Sequence, residues 1–330
     1  MKKLFIFALA AATMAVGCQK LQGLGNDNTP VDDTTPVEIK FGASAEVETK
    51  AAVSSLEGLA LKVYALNKTS GKRQIEGAGA EFANPYLTLD GGPYFYNNNT
   101  DVYDFYGYYL GGLETTVGTG YVAEVTINGE QDILLAKAES AGETVYTATA
   151  ARANVHPNLH FEHALAQFTF HAVNLGSTNL TLSAIKVRTQ TVADVTVAGA
   201  SQGVAPKGNP ADVAVAMTAN EIEPGDVTDV DEYGNFDSVG ATPVMVYAGS
   251  NYDFYFTLTQ GSVERTLKVT LDQSDQKVTA GHSYAINIKL YSLEEIKITA
   301  SLAEWVSKSY TVDTDSAVEV EPEEEEPADK

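Results

Sequence analysis

From Val37 onward the apolar residues recur at every second position, the period of a strand whose successive side chains point to opposite faces. Val37, Ile39 and Phe41 alternate with Glu38 and Lys40; Leu59, Leu61 and Val63 do so around Lys62; Tyr103, Phe105 and Tyr109 share a parity with Gly107. Phe168, Phe170 and Ala172 alternate with Gln167, Thr169 and His171. The habit returns at Ile185 and Val187, from Val244 to Tyr247, from Phe254 to Leu258, at Leu267, Val269 and Leu271, at Ile286, Ile288 and Leu290, and at Ile296 and Ile298. Clusters such as Asp90-Gly91-Gly92-Pro93, Asn97-Asn98-Asn99 and Gly208-Asn209-Pro210 punctuate these runs with turn residues. This spacing predicts an all-β chain of antiparallel sandwiches. No window sustains a 3.6-residue apolar period, and only the Ala-rich stretch from Glu143 to Ala153 allows a short helix.

The two ends break the pattern. Lys2 and Lys3 precede an apolar run from Leu4 to Val16, far short of the roughly 20 residues that cross a bilayer, so it reads as an export signal. The run ends Ala15-Val16-Gly17-Cys18, which resembles a bacterial lipobox with Ala15 where leucine is commonest. Cys18 is the sole cysteine of the chain and falls where lipidation needs it; cleavage before it would leave an acylated N-terminus held on a membrane surface. Gln19 to Pro36 is polar and without apolar period, a tether. Between Leu135 and Phe168 the alternation lapses around His156-Pro157, which places a domain boundary near Asn158. Residues 313–330 hold nine acidic residues against one Lys, −8 of a formal net charge of −23, and such a block stays solvated. The expected organisation is a signal peptide over 1–17, a tether and first strand over 18–50, sandwiches over 51–157 and 158–312, and an acidic tail over 313–330.

Charge and composition narrow the chemistry. With 44 Asp and Glu against 21 Lys and Arg, the chain repels nucleic acid and anionic headgroups at long range. One cysteine leaves no disulfide framework and no paired-cysteine metal site. His156, His160 and His163 cluster, but at mismatched strand parities and without a helical HExxH, so a strand-side loop is the expected setting and no metal is assigned. Asp229-Val-Asp231-Glu-Tyr-Gly234 resembles the start of a calcium loop, yet Gly240 stands where its bidentate carboxylate belongs. The SxxK strings at Ser183 and Ser274 lack companion motifs, no GxSxG or phosphate-cradling glycine loop follows a strand, and no cofactor or catalytic residue is assigned. The densest feature is aromatic: Tyr94, Phe95, Tyr96, Tyr103, Phe105, Tyr106, Tyr108 and Tyr109 fall within sixteen residues, either a packed ladder or a stacking platform for a sugar or protein partner.

Four local patterns, in this order, resemble the fimbrillins of Bacteroidota, the Mfa-like lipoprotein precursors of type V pili. They are Ile39-Lys-Phe41 followed by Glu48-Thr49-Lys50-Ala51-Ala52; Val102-Tyr-Asp-Phe-Tyr-Gly-Tyr-Tyr109, with Leu110 where a proline often follows; Leu159-His-Phe161-Glu-His163-Ala-Leu-Ala166; and Ala280-Gly281-His282-Ser-Tyr284 with the closing strands up to Trp305. The resemblance implies two tandem transthyretin-like antiparallel β-sandwiches and an outer-membrane lipoprotein that becomes part of a cell-surface fimbrium. It implies cleavage between Lys50 and Ala51 by a trypsin-like protease, which removes the leader strand of Val37, Ile39 and Phe41 together with the lipid on Cys18. A neighbouring pilin subunit would then donate a strand, for which Tyr310, Val312, Val318 and Val320 are the candidates, and head-to-tail donation builds a filament. Two other classes fit the composition: an anchored, monomeric lipoprotein that stacks its tyrosines on glycan, and a lipoprotein glycosidase with paired carboxylates.

Overall fold

A computed structural model describes residues 35–45, 55–83, 85–113, 115–225, 237–249, 251–272, 278–302 and 318–319. Among them the chain is almost wholly β, as its period-2 runs require. The first half comprises β1 (Phe41–Ala45), β2 (Leu61–Asn67), β3 (Arg73–Ala83), β4 (Tyr86–Leu89), β5 (Tyr103–Leu110), β6 (Val122–Thr126), β7 (Ile133–Ala138), a helix α1 (Ala148–Arg152) and β8 (Asn158–His163). Seven of these strands close a ring in the order β1-β4-β3-β2-β5-β7-β8, with β1 hydrogen-bonded to β8 to complete it. Every pairing in the ring is antiparallel except β1 with β8. Inside, Phe41, Leu61, Val63, Ile75, Tyr103, Phe105, Leu134, Leu159 and Phe161 form one core. The helix lies within the Ala-rich stretch, started by Thr147, whose side chain accepts a hydrogen bond from the Ala150 N–H at 3.0 Å.

The all-β expectation holds, and in the first half β1 has a hydrogen-bonded neighbour on each side, which closes the sheet into a ring. The strand after the expected 157/158 division, β8, pairs with β7 and β1. Alternation reports which side chains face inward, not which strand lies alongside, and β8 has a well-formed alternation whose partners lie far away in sequence.

The second half runs through β9 (Ala166–Asn174), β10 (Leu180–Thr189), β11 (Val192–Thr196), β12 (Gly203–Lys207), β13 (Ala211–Ala214), β14 (Asn220–Ile222), β15 (Asp237–Ser238), β16 (Val244–Val246), β17 (Asn251–Gln260), β18 (Val263–Asp272), β19 (Ser283–Leu290), β20 (Ile296–Leu302) and β21 (Val318–Glu319). One sheet orders β13-β10-β17-β18-β21, with β14 also on β10; the other orders β15-β9-β19-β20, with β16 also on β9. Phe168, Phe170, Leu182, Ile185, Phe254, Phe256, Val269, Ile286, Ile288 and Ile298 come from both sheets and share one core, so this half is a β-sandwich. A third sheet, β12-β11-β6, is assembled from both halves. It covers the outer side of β2 and β5, burying Tyr64, Tyr106 and Tyr108 against Val125, Val195, Val197 and Met245. The aromatic strand β5 is therefore buried on both faces, with Tyr103 and Phe105 turned into the ring and Tyr106 and Tyr108 under the third sheet. These tyrosines build core, not a stacking platform.

Gly107 in that strand has the inward parity, and its missing side chain is occupied by β8: an added Cβ would lie 2.6 Å from Cζ of Phe161 and 3.3 Å from Leu159. Gly107→Ala is expected to lower stability by about 1–3 kcal/mol through overpacking, and Gly107→Ala with Phe161→Leu to recover part of it, both read by thermal denaturation.

Candidate functional site

The segment that starts at Val37 occupies a slot made by three other stretches of chain. Its alternation works as the sequence requires, with Ile39, Phe41 and Ala43 buried in the ring core and Val37 partly buried against it. The first part pairs with the aromatic triplet: the Tyr96 N–H donates to the Val37 carbonyl at 3.0 Å, and the Ile39 N–H donates to the Tyr94 carbonyl at 2.8 Å. The second part, β1, is gripped from both sides. Phe41 and Gly42 stand opposite Leu87 and Tyr86 on β4, while Gly42 to Ala45 run parallel to Asn158 to Phe161 on β8. The Gly42 N–H donates to the Pro157 carbonyl and the Ala43 N–H to the Pro85 carbonyl, both at 2.9 Å.

Side chains fix the register of the segment. The Phe41 ring meets Phe105 edge to face at a centroid distance of 5.2 Å, a geometry that aligns ring edge with ring face. Gly42 is buried on the opposite side of the strand, where an added Cβ would lie 2.9 Å from Oδ1 of Asn158. Ser44 Oγ lies 3.0 Å from Nδ1 of His160, and Arg152 of α1 donates to the Thr35 carbonyl at 2.7 Å. Lys40 points outward, 3.9 Å from the Glu38 carboxylate.

His156, in the loop before β8, is half-buried, and its buried Nδ1 has no hydrogen-bond partner. Burial first, and the charge of Lys40 second, hold its pKa below the ordinary 6.5. The sign follows from linkage: the folded state favours neutral His156, so the stability it allows is complete above pH 6.5 and declines as the pH falls from there through the depressed native value. The folded chain is expected to melt at a lower temperature at pH 5 than at pH 7.5, and His156→Gln to flatten that difference; an unchanged pH profile in the variant would remove His156 as its source.

The other sequence candidates separate in space. His160 reaches Ser44, His156 keeps a buried Nδ1 without a hydrogen-bond partner, and His163 lies buried with Nδ1 2.8 Å from the Asp132 carboxylate, so the three imidazoles do not share a partner. Among the described residues no three His, Cys, Asp or Glu side chains come together as a metal-ligand set. The acidic stretch 226–236 lies outside the described residues, as do Cys18, Lys50, Ala51, Tyr310, Val312 and Val320. Val318 is described, and it stands with Glu319 on the edge of β18, opposite Lys268 and Leu267. Sequence reasoning missed Ala43, the bracing by Tyr94 and Tyr96, and the parallel grip of Asn158 to Phe161. Ala43 extended the visible period; the other two depend on pairings that no local pattern encodes. A shallow cleft of about 440 Å³ between the two halves, lined by Lys68, Asp104, Tyr106, Tyr121 and Glu139, was also without signal. Its polar groups are satisfied internally, with Lys68 3.2 Å from Asp104 and the Tyr106 hydroxyl donating to Glu139 at 2.8 Å.

The fimbrillin-like family profile matches residues 49–305, most of the chain. This chain belongs to the fimbrillin-like family. No curated protein matches it. Among solved structures, the fimbrillin-like fold is shared with a Bacteroides uniformis protein assigned to cell adhesion, at a TM-score of 0.55 and 15% identity over 82% of this chain and 99% of that one. A Bacteroides ovatus protein with the same assignment superposes at 0.50 with 13% identity, covering 83% of this chain and 100% of its own. One from Bacteroides eggerthii does so at 0.50 with 9% identity, covering 83% and 98%. At such identities the likeness is one of fold.

Proposed function

We propose that this fimbrillin-like chain is a precursor subunit of a cell-surface fimbrium, exported as a lipoprotein through Cys18, cut between Lys50 and Ala51 by a trypsin-like protease, and assembled with other pilin subunits by strand exchange for surface adhesion. The observation that carries the reading is β1: one short strand, continuous along the chain with residues 46–54, closes the ring between β4 and β8. Its loss would leave two unpaired sheet edges and uncover the core once filled by Ile39, Phe41 and Ala43. Unpaired edges over an apolar groove are the template on which another strand adds. Lys50 falls within the connecting residues, so a cut there would free the strand and the lipid together. The family and the cell-adhesion assignment of its structural relatives support the surface role. The two halves serve as tandem domains in this scheme, with Tyr310, Val312, Val318 and Val320 as the residues a subunit would offer to a neighbour.

The test is the N-terminus and intact mass of the protein taken from its native cell surface, with and without an inhibitor of trypsin-like proteases. A species starting at Ala51 that migrates as a denaturant-resistant ladder is expected. A species that always starts at acylated Cys18 and stays monomeric would overturn processing and assembly together.

A further inference from the structure

We propose that the slot between β4 and β8 selects its occupant by sequence, and that the strand it accepts in place of β1 is an extended segment carrying the leader's own pattern, which residues 303–330 of a second copy do not carry. The inference rests on the strand-exchange reading above and gives the slot a specificity: it takes a leader-like strand and rejects this tail.

The seated leader sets the rule. Ile39, Phe41 and Ala43 are each at most 5% exposed, three successive alternate positions that must be apolar, with the middle one filled by an aromatic ring against Phe105. Between the last two sits Gly42, buried against Asn158, where any side chain must push the amide aside. The Ala43 N–H donates to Pro85, which excludes proline there. An occupant therefore reads apolar, any, large apolar, small, small apolar.

Residues 303–330 do not contain this pattern. Along the even positions they read Val306, Lys308, Tyr310, Val312, Thr314, Ser316, Val318, Val320 and Pro322; along the odd positions the only adjacent apolar pair is Ala303 and Trp305. No three successive alternate positions are apolar, so every register, in either direction, sets a Ser, Thr, Lys, Pro or acid at one of the deep sites. Parallel to β8, Tyr310, Val312 and Thr314 at the sites of Ile39, Phe41 and Ala43 leave valine in the phenylalanine cavity and put Asp313 in the place of Gly42. A cavity, a buried hydroxyl and a carboxylate against Asn158 each weaken the fit. Val318 is moreover held on β18 of its own sandwich. Among the described residues, the other long alternating runs are built into the cores of the two halves. What fits the slot is an extended segment with the pattern that the leader displays.

The experiment uses the full chain with Cys18→Ser and a site-specific protease sequence replacing residues 47–53, cut so that the leader stays seated. The nicked protein is equilibrated a few degrees below its melting transition with one of three peptides, and occupancy is read by native mass spectrometry. An isotope-labelled copy of residues 35–45 is expected to exchange in, and the peptide 303–320 to bind about a hundredfold or more weaker. The same tail peptide carrying Val312→Phe, Asp313→Gly and Thr314→Ala is expected to gain entry. Binding of the unmodified tail within tenfold of the leader copy would overturn the selection by sequence and leave strand exchange standing. If not even the leader copy enters, the slot does not exchange strands, and both readings fall.

Discussion

Phe41→Ala in the full-length chain is expected to lower the melting temperature by roughly 10 °C. Truncating a buried phenylalanine costs about 3–5 kcal/mol, the transfer term plus the cavity left behind, and each kcal/mol moves the midpoint of a domain this size by about 2–4 °C. Phe41 is 2% exposed and stacks edge to face on Phe105, itself in contact with Tyr96, Tyr103 and Tyr146, so the void opens amid rings too large to collapse into it. In the nicked chain the same substitution is expected to weaken retention of the cleaved leader by about three orders of magnitude, because about 1.4 kcal/mol is a factor of ten. Glu38→Ala, on the solvent face of the same segment, is expected to leave the midpoint within about a degree or two. Equal effects from the two substitutions, by calorimetry, would mean that the segment is not seated by its inward face.

The second large effect is expected at the corner where the chain leaves the ring for the sandwich. Asp132 immediately precedes β7 and His163 ends β8; their side chains are 1% and 5% exposed, 2.8 Å apart. His163→Ala would leave the Asp132 carboxylate in the interior without its imidazole, and breaking one member of a buried pair typically costs about 3–5 kcal/mol. Replacing both at once, Asp132→Leu with His163→Leu, is expected to be milder than the single change, because no unpaired charge remains. Thermal denaturation of the single and double variants decides it: a double variant less stable than the single would show that the pair contributes more than mutual compensation.

The sequence made β1 legible because its alternation is local: Val37, Ile39 and Phe41 named the inward face before any partner was known, and Ala43 continues it. The histidine triplet was legible only as a density, since non-local pairing, not spacing, brings His160 to Ser44 and His163 to Asp132 and leaves Nδ1 of His156 unpaired. The aromatic strand was legible in part. Its density allowed a packed ladder or a stacking platform; the ladder is what the fold builds, but nothing local announces that β6 and β11, from opposite sides of the divide, meet above Tyr106 and Tyr108. Gly107 did carry a readable signal, since a glycine at the inward parity of an aromatic strand marks a large side chain arriving from elsewhere, here Phe161. The slot needed the fold, because its walls at 85–87, 94–96 and 157–161 converge only through non-local pairing.

The grip on β1 has a mechanical side. Its hydrogen bonds to β4 and β8 lie across the strand, so tension along the strand shears both ladders together, whereas a pull at right angles opens them one rung at a time. A strand held this way between two neighbours resists lengthwise drag far better than peeling. Whatever occupies the slot is placed to bear tension along its own axis, while the sheet shared by β6, β11 and β12 spreads that load from one half of the subunit into the other.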